Sequence, residues 1–219
     1  MSTVNIAIDG PAGAGKSTIA KMVSAEMGYI YVDTGAMYRA VALYITENNI
    51  DDASIENELK NADISLKFVD GSQRVLLGGR DVSELIRTPE ISMAASRTSA
   101  LPAVRAYLFE LQKKIARENN VIMDGRDIGT VVLPNADVKI FLTAAAEERA
   151  SRRYKELAEK PGHPAYEEIL KDIIQRDYQD MNRETAPLKQ AEDAVLVDTT
   201  ELTLEQSADA IIKVIKEKI

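Results

Sequence analysis

The chain has 219 residues, of which 45% are hydrophobic and 28% charged, and its net charge is −8. That length suits one globular domain whose core needs no covalent staples. With no cysteine and a single histidine, His163, the sequence excludes disulfide frameworks, thiolate metal sites, cysteine nucleophiles, histidine-based triads and two-histidine metal centres. No apolar run approaches the roughly 18 to 20 residues of a membrane span, and Met1 to Asp9 lacks the basic and apolar regions of a signal peptide. A cytoplasmic enzyme without membrane or nucleic-acid partners is expected, and the acidic balance calls for a phosphate partner that is small and locally held.

Apolar, β-rich runs occur at Val4 to Ile8, Tyr29 to Val32, Val121 to Met123, Val138 to Leu142 and Val195 to Val197. They predict five buried parallel strands. Helical patterns fall between them at Ser17 to Met27, Ala36 to Asn48, Pro102 to Asn119, Ala146 to Ala158, Ala165 to Asn182 and Leu202 to Lys218, so the fold class is α/β,. Two stretches interrupt the alternation. Ile50 to Ser99 contains Ile64–Phe68 and Arg74–Leu77 joined at Asp70-Gly71, which predicts a hairpin in an inserted subdomain,. Glu147 to Pro164 is a charged helix followed by a loop from Pro161 to Pro164, expected to be exposed and movable,.

Directly after the first strand comes Gly10-Pro11-Ala12-Gly13-Ala14-Gly15-Lys16-Ser17-Thr18, a GxxxxGK[ST] motif in its required setting of strand, loop and helix,. The glycines let successive backbone N–H groups converge on phosphate oxygens, and the helix points its positive end at them. Lys16 is placed to bridge the outer phosphates and Ser17 to ligate Mg²⁺. No NKxD guanine motif is present, so the acceptor side must be read from other residues.

Four segments are candidates for it. In Asp33-Thr34-Gly35-Ala36-Met37-Tyr38-Arg39, Thr34 is the expected helix cap and Arg39 either grips a phosphate or is solvated,. Val121-Ile122-Met123-Asp124 ends in an acid suited to holding Mg²⁺, and Gly125-Arg126-Asp127 adds a cation and a second acid; a plain glycine loop is the better reading in isolation, and the phosphate loop upstream reverses that preference,. Arg176, Asp180 and Arg183 share one side of a helix whose expected inner stripe is Tyr166, Ile169, Leu170, Ile173 and Ile174; they either bind a sugar phosphate or close a salt-bridged helix end,. Arg149, Arg152 and Arg153 lie at i, i+3 and i+4 and either close over a triphosphate or pair with Glu148 and Glu156 in solvent,.

Taken together, GPAGAGKST, DTGAMYR, the Pro89 to Arg105 segment with Ser96 and Arg105, DGRDIGTVVLP, EERASRR and RDYQDMNRETAPL resemble the bacterial cytidylate kinase family over nearly the whole chain. The resemblance implies a P-loop nucleoside monophosphate kinase fold: a five-stranded parallel sheet flanked by helices, a monophosphate-binding insert at about 35–105 with a small antiparallel sheet, and a helical lid at about 147–165. It implies Mg²⁺-dependent transfer of the γ-phosphoryl group of ATP to CMP or dCMP. By similarity, Arg39, Arg126 and Arg183 hold the acceptor phosphate, Ser96, Arg105 and Asp127 read the base, and Arg176 and Asp180 contact the ribose. Thr34 lines the same site, where many members have serine. Lys16, Arg126 and the lid arginines Arg149, Arg152 and Arg153 neutralise developing charge, and Ser17 and Asp124 serve the metal. A kinase for another acceptor such as UMP, AMP, shikimate or gluconate is the nearest alternative, and a non-catalytic nucleotide sensor is a second class. A monomer is expected in the absence of a coiled-coil pattern.

Overall fold

The computed structural model describes residues 3–69, 71–158 and 162–219. Asp70 in the expected hairpin turn and Pro161 at the start of the expected loop lie outside the described residues. Five strands form one parallel sheet: β1 (Asn5–Asp9), β2 (Ile30–Asp33), β6 (Val121–Gly125), β7 (Val138–Thr143) and β8 (Val195–Asp198), in the spatial order β2-β6-β1-β7-β8. Their composition explains their position. Ile6, Ala7 and Ile8 of β1 and Val121, Ile122 and Met123 of β6 are fully buried, because helices cover both faces of a parallel sheet and leave no side for polar residues.

The longer helices are α1 (Lys16–Met27), α2 (Thr34–Glu47), α5 (Pro102–Glu118), α6 (Ala146–Leu157), α7 (Tyr166–Asn182) and α8 (Leu204–Lys218), with the shorter α3 (Ile55–Glu58) and α4 (Pro89–Thr98) in the interrupting segment. On one side, Met37 and Val41 of α2 pack with Val104 and Leu108 of α5. On the other, Ile19 and Val23 of α1 meet Ile211 and Ile215 of α8 over Ile8 and Ile140. Local signals set the helix ends: Thr88 caps α4 and Pro89 fills its first position, and Thr203 and Gln206 form a reciprocal capping box on α8,.

The inserted segment holds a second sheet, β3 (Ile64–Val69), β4 (Ser72–Leu77) and β5 (Arg80–Asp81), all antiparallel. The hairpin agrees with the sequence pattern, whereas β5 was not expected. It is only two residues long, and the Gly78-Gly79 turn that leads into it has φ of +56° and +76°, the left-handed pair that a tight hairpin requires,.

A third, small cluster joins Ala150 of α6 to Ile169 and Ile173 of α7. The stripe expected on α7 is narrower than the sequence implied, with Ile174 52% exposed. The helix packs chiefly against α6, so its outer side stays in solvent. Among the described residues, no helix is long and apolar enough to cross a membrane.

Candidate active site

The parallel register aligns the carboxyl ends of β1, β6 and β2. Asp9 sits opposite Gly125, and Asp33 opposite Asp124. Three acids therefore stand along one sheet edge, where ligand crevices form in α/β folds. The glycine-rich loop leaves this edge from the central strand. Gly10 has φ of +149°, and a Cβ there would come within 1.9 Å of the Leu142 carbonyl oxygen, so glycine alone lets the loop pass β7,. Gly15, with φ of +85°, then turns the chain into α1, whose first-turn N–H groups have no helical partners,.

Lys16 Nζ donates to the Pro11 carbonyl at 2.7 Å, folded back against its own loop. Burial, and then the neighbouring Arg126, hold its ammonium well below the usual lysine value. Incoming phosphate charge would relieve both. Ser17 Oγ donates to Asp124 Oδ2 at 2.7 Å and the Tyr31 hydroxyl donates to Oδ1 at 3.1 Å. Burial, and then Asp33, push the Asp124 carboxyl above its ordinary range. A hydroxyl and a carboxylate in contact form an all-oxygen donor pair of the kind Mg²⁺ takes when substrate phosphates complete its shell.

The same cavity, about 470 Å³, continues to the acceptor side. Thr34, Arg39, Ser96, Arg105, Arg126, Asp127, Arg176, Asp180 and Arg183 line it together with Ala12, Gly13, Gly15, Lys16, Ser17 and Thr18. Gly10, Pro11 and Ala14 are buried in the loop scaffold. Asp127 lies between two guanidiniums: Arg105 Nη2 bonds Oδ2, and Arg183 Nη2 donates to Oδ1 at 3.3 Å. Burial pushes its carboxyl up while Arg105 and Arg183 pull against that shift. Arg126 Nε donates to Asp180 Oδ2 at 2.8 Å, which ties the β6 loop to α7. Among the described residues, Arg176 has no carboxylate within ion-pair distance. Solvent reaches it through the cavity, yet desolvation by the walls, and then Arg126, lower its affinity for its proton. Arg39 bonds Asp33 at 3.1 Å while its Nε is buried with no partner among the described residues. In a chain of net charge −8, this concentration of guanidiniums is a local anion site.

The expected helix cap is corrected. Asp33, not Thr34, caps α2 by accepting from Ala36 N–H at 2.8 Å, and Thr34 Oγ1 donates to the Asp124 carbonyl at 2.7 Å. Aspartate three residues before a free amide wins the cap, which leaves the threonine hydroxyl to join the start of α2 to β6,. Gly35 permits this packing, since a Cβ there would lie 3.2 Å from Asp33 Oδ1 and 3.3 Å from Arg39 Nη1.

The three arginines of α6 do not gather over the cavity. Arg149, 5% exposed, donates to the carbonyls of Ala144 and Ala12, both at 2.8 Å, and to Asp177 Oδ2 at 2.7 Å. Arg152 bonds Glu148 at 2.9 Å and the Thr199 carbonyl at 2.6 Å. Only Arg153 lines the cavity, paired with Glu156 at 3.0 Å. The spacing put all three on one side of the helix, but that side straddles the phosphate loop, the β8 exit and the open crevice.

Asp9 was not singled out by the sequence. Buried at the end of β1, it accepts from the N–H groups of Ile128 and Gly129 at 2.8 and 2.7 Å, fixing the turn that presents Arg126 and Asp127. Burial pushes its carboxyl up to about 6, against those two hydrogen bonds. An acid ending an apolar strand directly before the phosphate loop was the available signal.

The family described as cytidylate kinase matches residues 6–217. The chain belongs to the cytidylate kinase family. A cytidylate kinase of Caldicellulosiruptor bescii is 52% identical over 226 residues, covering all of both chains. One from Carboxydothermus hydrogenoformans is 51% identical over 218 residues, 98% of each chain. A shikimate kinase from Bacteroides thetaiotaomicron superposes with a TM-score of 0.51 at 16% identity, covering 97% of this chain and 98% of that one, a likeness of fold alone. Within the family's P-loop kinase architecture, the phosphate loop and the arginine-rich wall form the two ends of one crevice.

Proposed function

We propose that the protein transfers the γ-phosphoryl group of ATP to CMP or dCMP, giving ADP and CDP or dCDP by direct in-line displacement. The reading rests on one observation above all: a single cavity carries the phosphate loop at one end and, at the other, Arg39, Arg126, Arg176 and Arg183 together with Asp127. Family membership supplies the acceptor class.

At the donor end, the loop amides and the α1 N-terminus hold the β- and γ-phosphates, and Lys16 swings from Pro11 to reach them. Ser17 and Asp124 would hold Mg²⁺, which when bound neutralises phosphate charge. At the acceptor end, Arg39, Arg126 and Arg183 hold the monophosphate, and Arg176 and Asp180 the ribose. Ser96, Arg105 and Asp127 read the base. The carboxylate accepts from the cytosine N4 amine and repels the O4 of uracil.

An oxygen of the CMP phosphate attacks the γ-phosphorus. The bond from that phosphorus to the β,γ-bridging oxygen breaks, and ADP leaves with the electron pair. The nucleophile is already ionised, so positioning and charge neutralisation supply the catalysis and no side chain is phosphorylated. Arg153 is the α6 arginine placed to meet the transferring group. Residues at about 35–105 act as the monophosphate-binding insert and those at about 147–165 as a lid that excludes water. One chain supplies both ends of the site, so a monomer suffices.

Incubation with γ-labelled ATP and CMP tests the path. Label confined to the β-phosphate of CDP is expected, and label retained on the protein would overturn direct transfer.

A further inference from the structure

The parallel sheet ends at β2, whose outer edge has no strand partner among the described residues. At its last residue, Asp33, the missing partner is a side chain. Gln73 Oε1 accepts from the Asp33 N–H at 2.9 Å, and Gln73 Nε2 donates to the Asp33 carbonyl at 3.2 Å. One amide thus supplies both bonds that a neighbouring strand would make.

Gln73 belongs to β4, where it shares a face with Val75 and Leu77. Those two are buried in the core, so a polar residue continuing their face calls for a polar partner,. Asp33 provides it, and Asp33 has two further tasks. Its carboxylate caps α2 through Ala36 and bonds Arg39 through Oδ2. Arg39 lines the cavity with its Nε buried and, among the described residues, unpartnered.

We infer that Gln73 is a positioning residue for acceptor binding: by clamping the Asp33 backbone it sets the carboxylate that aims Arg39 at the acceptor phosphate. The inserted hairpin thereby acts on the phosphate subsite without touching substrate. The chemistry asks for glutamine in particular. Asparagine falls short of the strand edge, methionine fills the space without either bond, and glutamate sets an oxygen against the Asp33 carbonyl.

This inference rests on the reading of Arg39 as a phosphate ligand, and the experiment separates the two. Steady-state kinetics are measured for Gln73→Met, Gln73→Glu, Arg39→Ala and the double variant Gln73→Met/Arg39→Ala, with thermal unfolding of each. Loss of the clamp is expected to raise the KM for CMP about five- to tenfold in Gln73→Met, and at least as much in Gln73→Glu. The KM for ATP stays within about twofold, since the phosphate loop is not in this chain of bonds. In the Arg39→Ala background, Gln73→Met adds nothing further, because the group it positions is gone. An unchanged KM for CMP in both Gln73 variants, equal rises for both substrates, or full additivity with Arg39→Ala would each overturn the inference. If Arg39→Ala itself leaves the KM for CMP unchanged, the phosphate-ligand reading fails and takes this one with it. If only Arg39→Ala raises it, the inference about Gln73 alone is lost.

Discussion

Replacing Arg149 by methionine keeps the aliphatic stem and removes the guanidinium. That group joins the Ala12 carbonyl of the phosphate loop, the Ala144 carbonyl ahead of α6 and Asp177 of α7. Without it, two carbonyls lose a donor and a carboxylate whose side chain is 14% exposed loses its one ion-pair partner among the described residues, where its Oδ1 already has no hydrogen-bond partner. Breaking a buried ion pair costs about 3–5 kcal/mol; water reaching Asp177 reduces this to about 2–4 kcal/mol, which lowers the Tm of a domain this size by about 5–15 °C. Arg153→Met is the matched control. Its pair with Glu156 is 56% and 64% exposed on its two sides and contributes about 0–1 kcal/mol. Calorimetry and steady-state turnover on both variants should dissociate them: Arg149→Met loses stability, whereas Arg153→Met keeps its Tm and loses kcat. Equal Tm values for Arg149→Met and the parent protein would refute the assignment, as would full turnover by Arg153→Met.

Asp9 gives a pH signature. Its folded value of about 6 lies above the ordinary 3.8, so between the two the folded state holds a proton that the unfolded state releases. Stability from this group is therefore present below the unfolded value and lost as pH rises through about 6, by about 3 kcal/mol. Urea unfolding of Asp9→Asn against the parent should show the stability difference shifting by that amount in favour of the variant between about pH 4 and pH 7; parallel curves would contradict it. Lys16→Ala should fold normally and lose kcat by about 10² or more, and near-normal turnover by the folded variant would remove Lys16 from catalysis. Asp180→Ala frees Arg126 and removes the proposed ribose contact, so the KM for CMP should rise about tenfold; unchanged KM and kcat would exclude it from the site.

Much of this molecule is written in local patterns. The five parallel strands, the phosphate loop and the hairpin each follow from a run or spacing that needs no tertiary knowledge, although the edge strand β8 is not buried as its apolar run implied, with Leu196 55% exposed. Sheet order does not, because alternation of strand and helix predicts parallel pairing but not that β1 lies between β6 and β7. The α6 arginines show the same limit. Spacing placed Arg149, Arg152 and Arg153 on one side of a helix, and only the neighbours of that side reveal that Arg149 braces the phosphate loop while Arg153 faces the crevice. The cap on α2 went to Asp33, which left the Thr34 hydroxyl for a carbonyl 90 residues away in sequence. Asp9 and Gln73 act through backbone groups of distant segments, so their roles leave only faint marks in the sequence: an acid closing an apolar strand, and a polar residue on a core-facing strand face.

In the proposed function, one crevice joins a triphosphate site to a cytosine-reading monophosphate site. ADP release from Mg·ATP, measured separately with CMP, dCMP, UMP, AMP, shikimate and gluconate, tests this most directly. Turnover led by CMP or dCMP, with UMP well behind, is the predicted result. Turnover led by any other acceptor would contradict the reading of Asp127 and the arginine wall, and ATP binding without turnover on any acceptor would contradict the claim of catalysis itself.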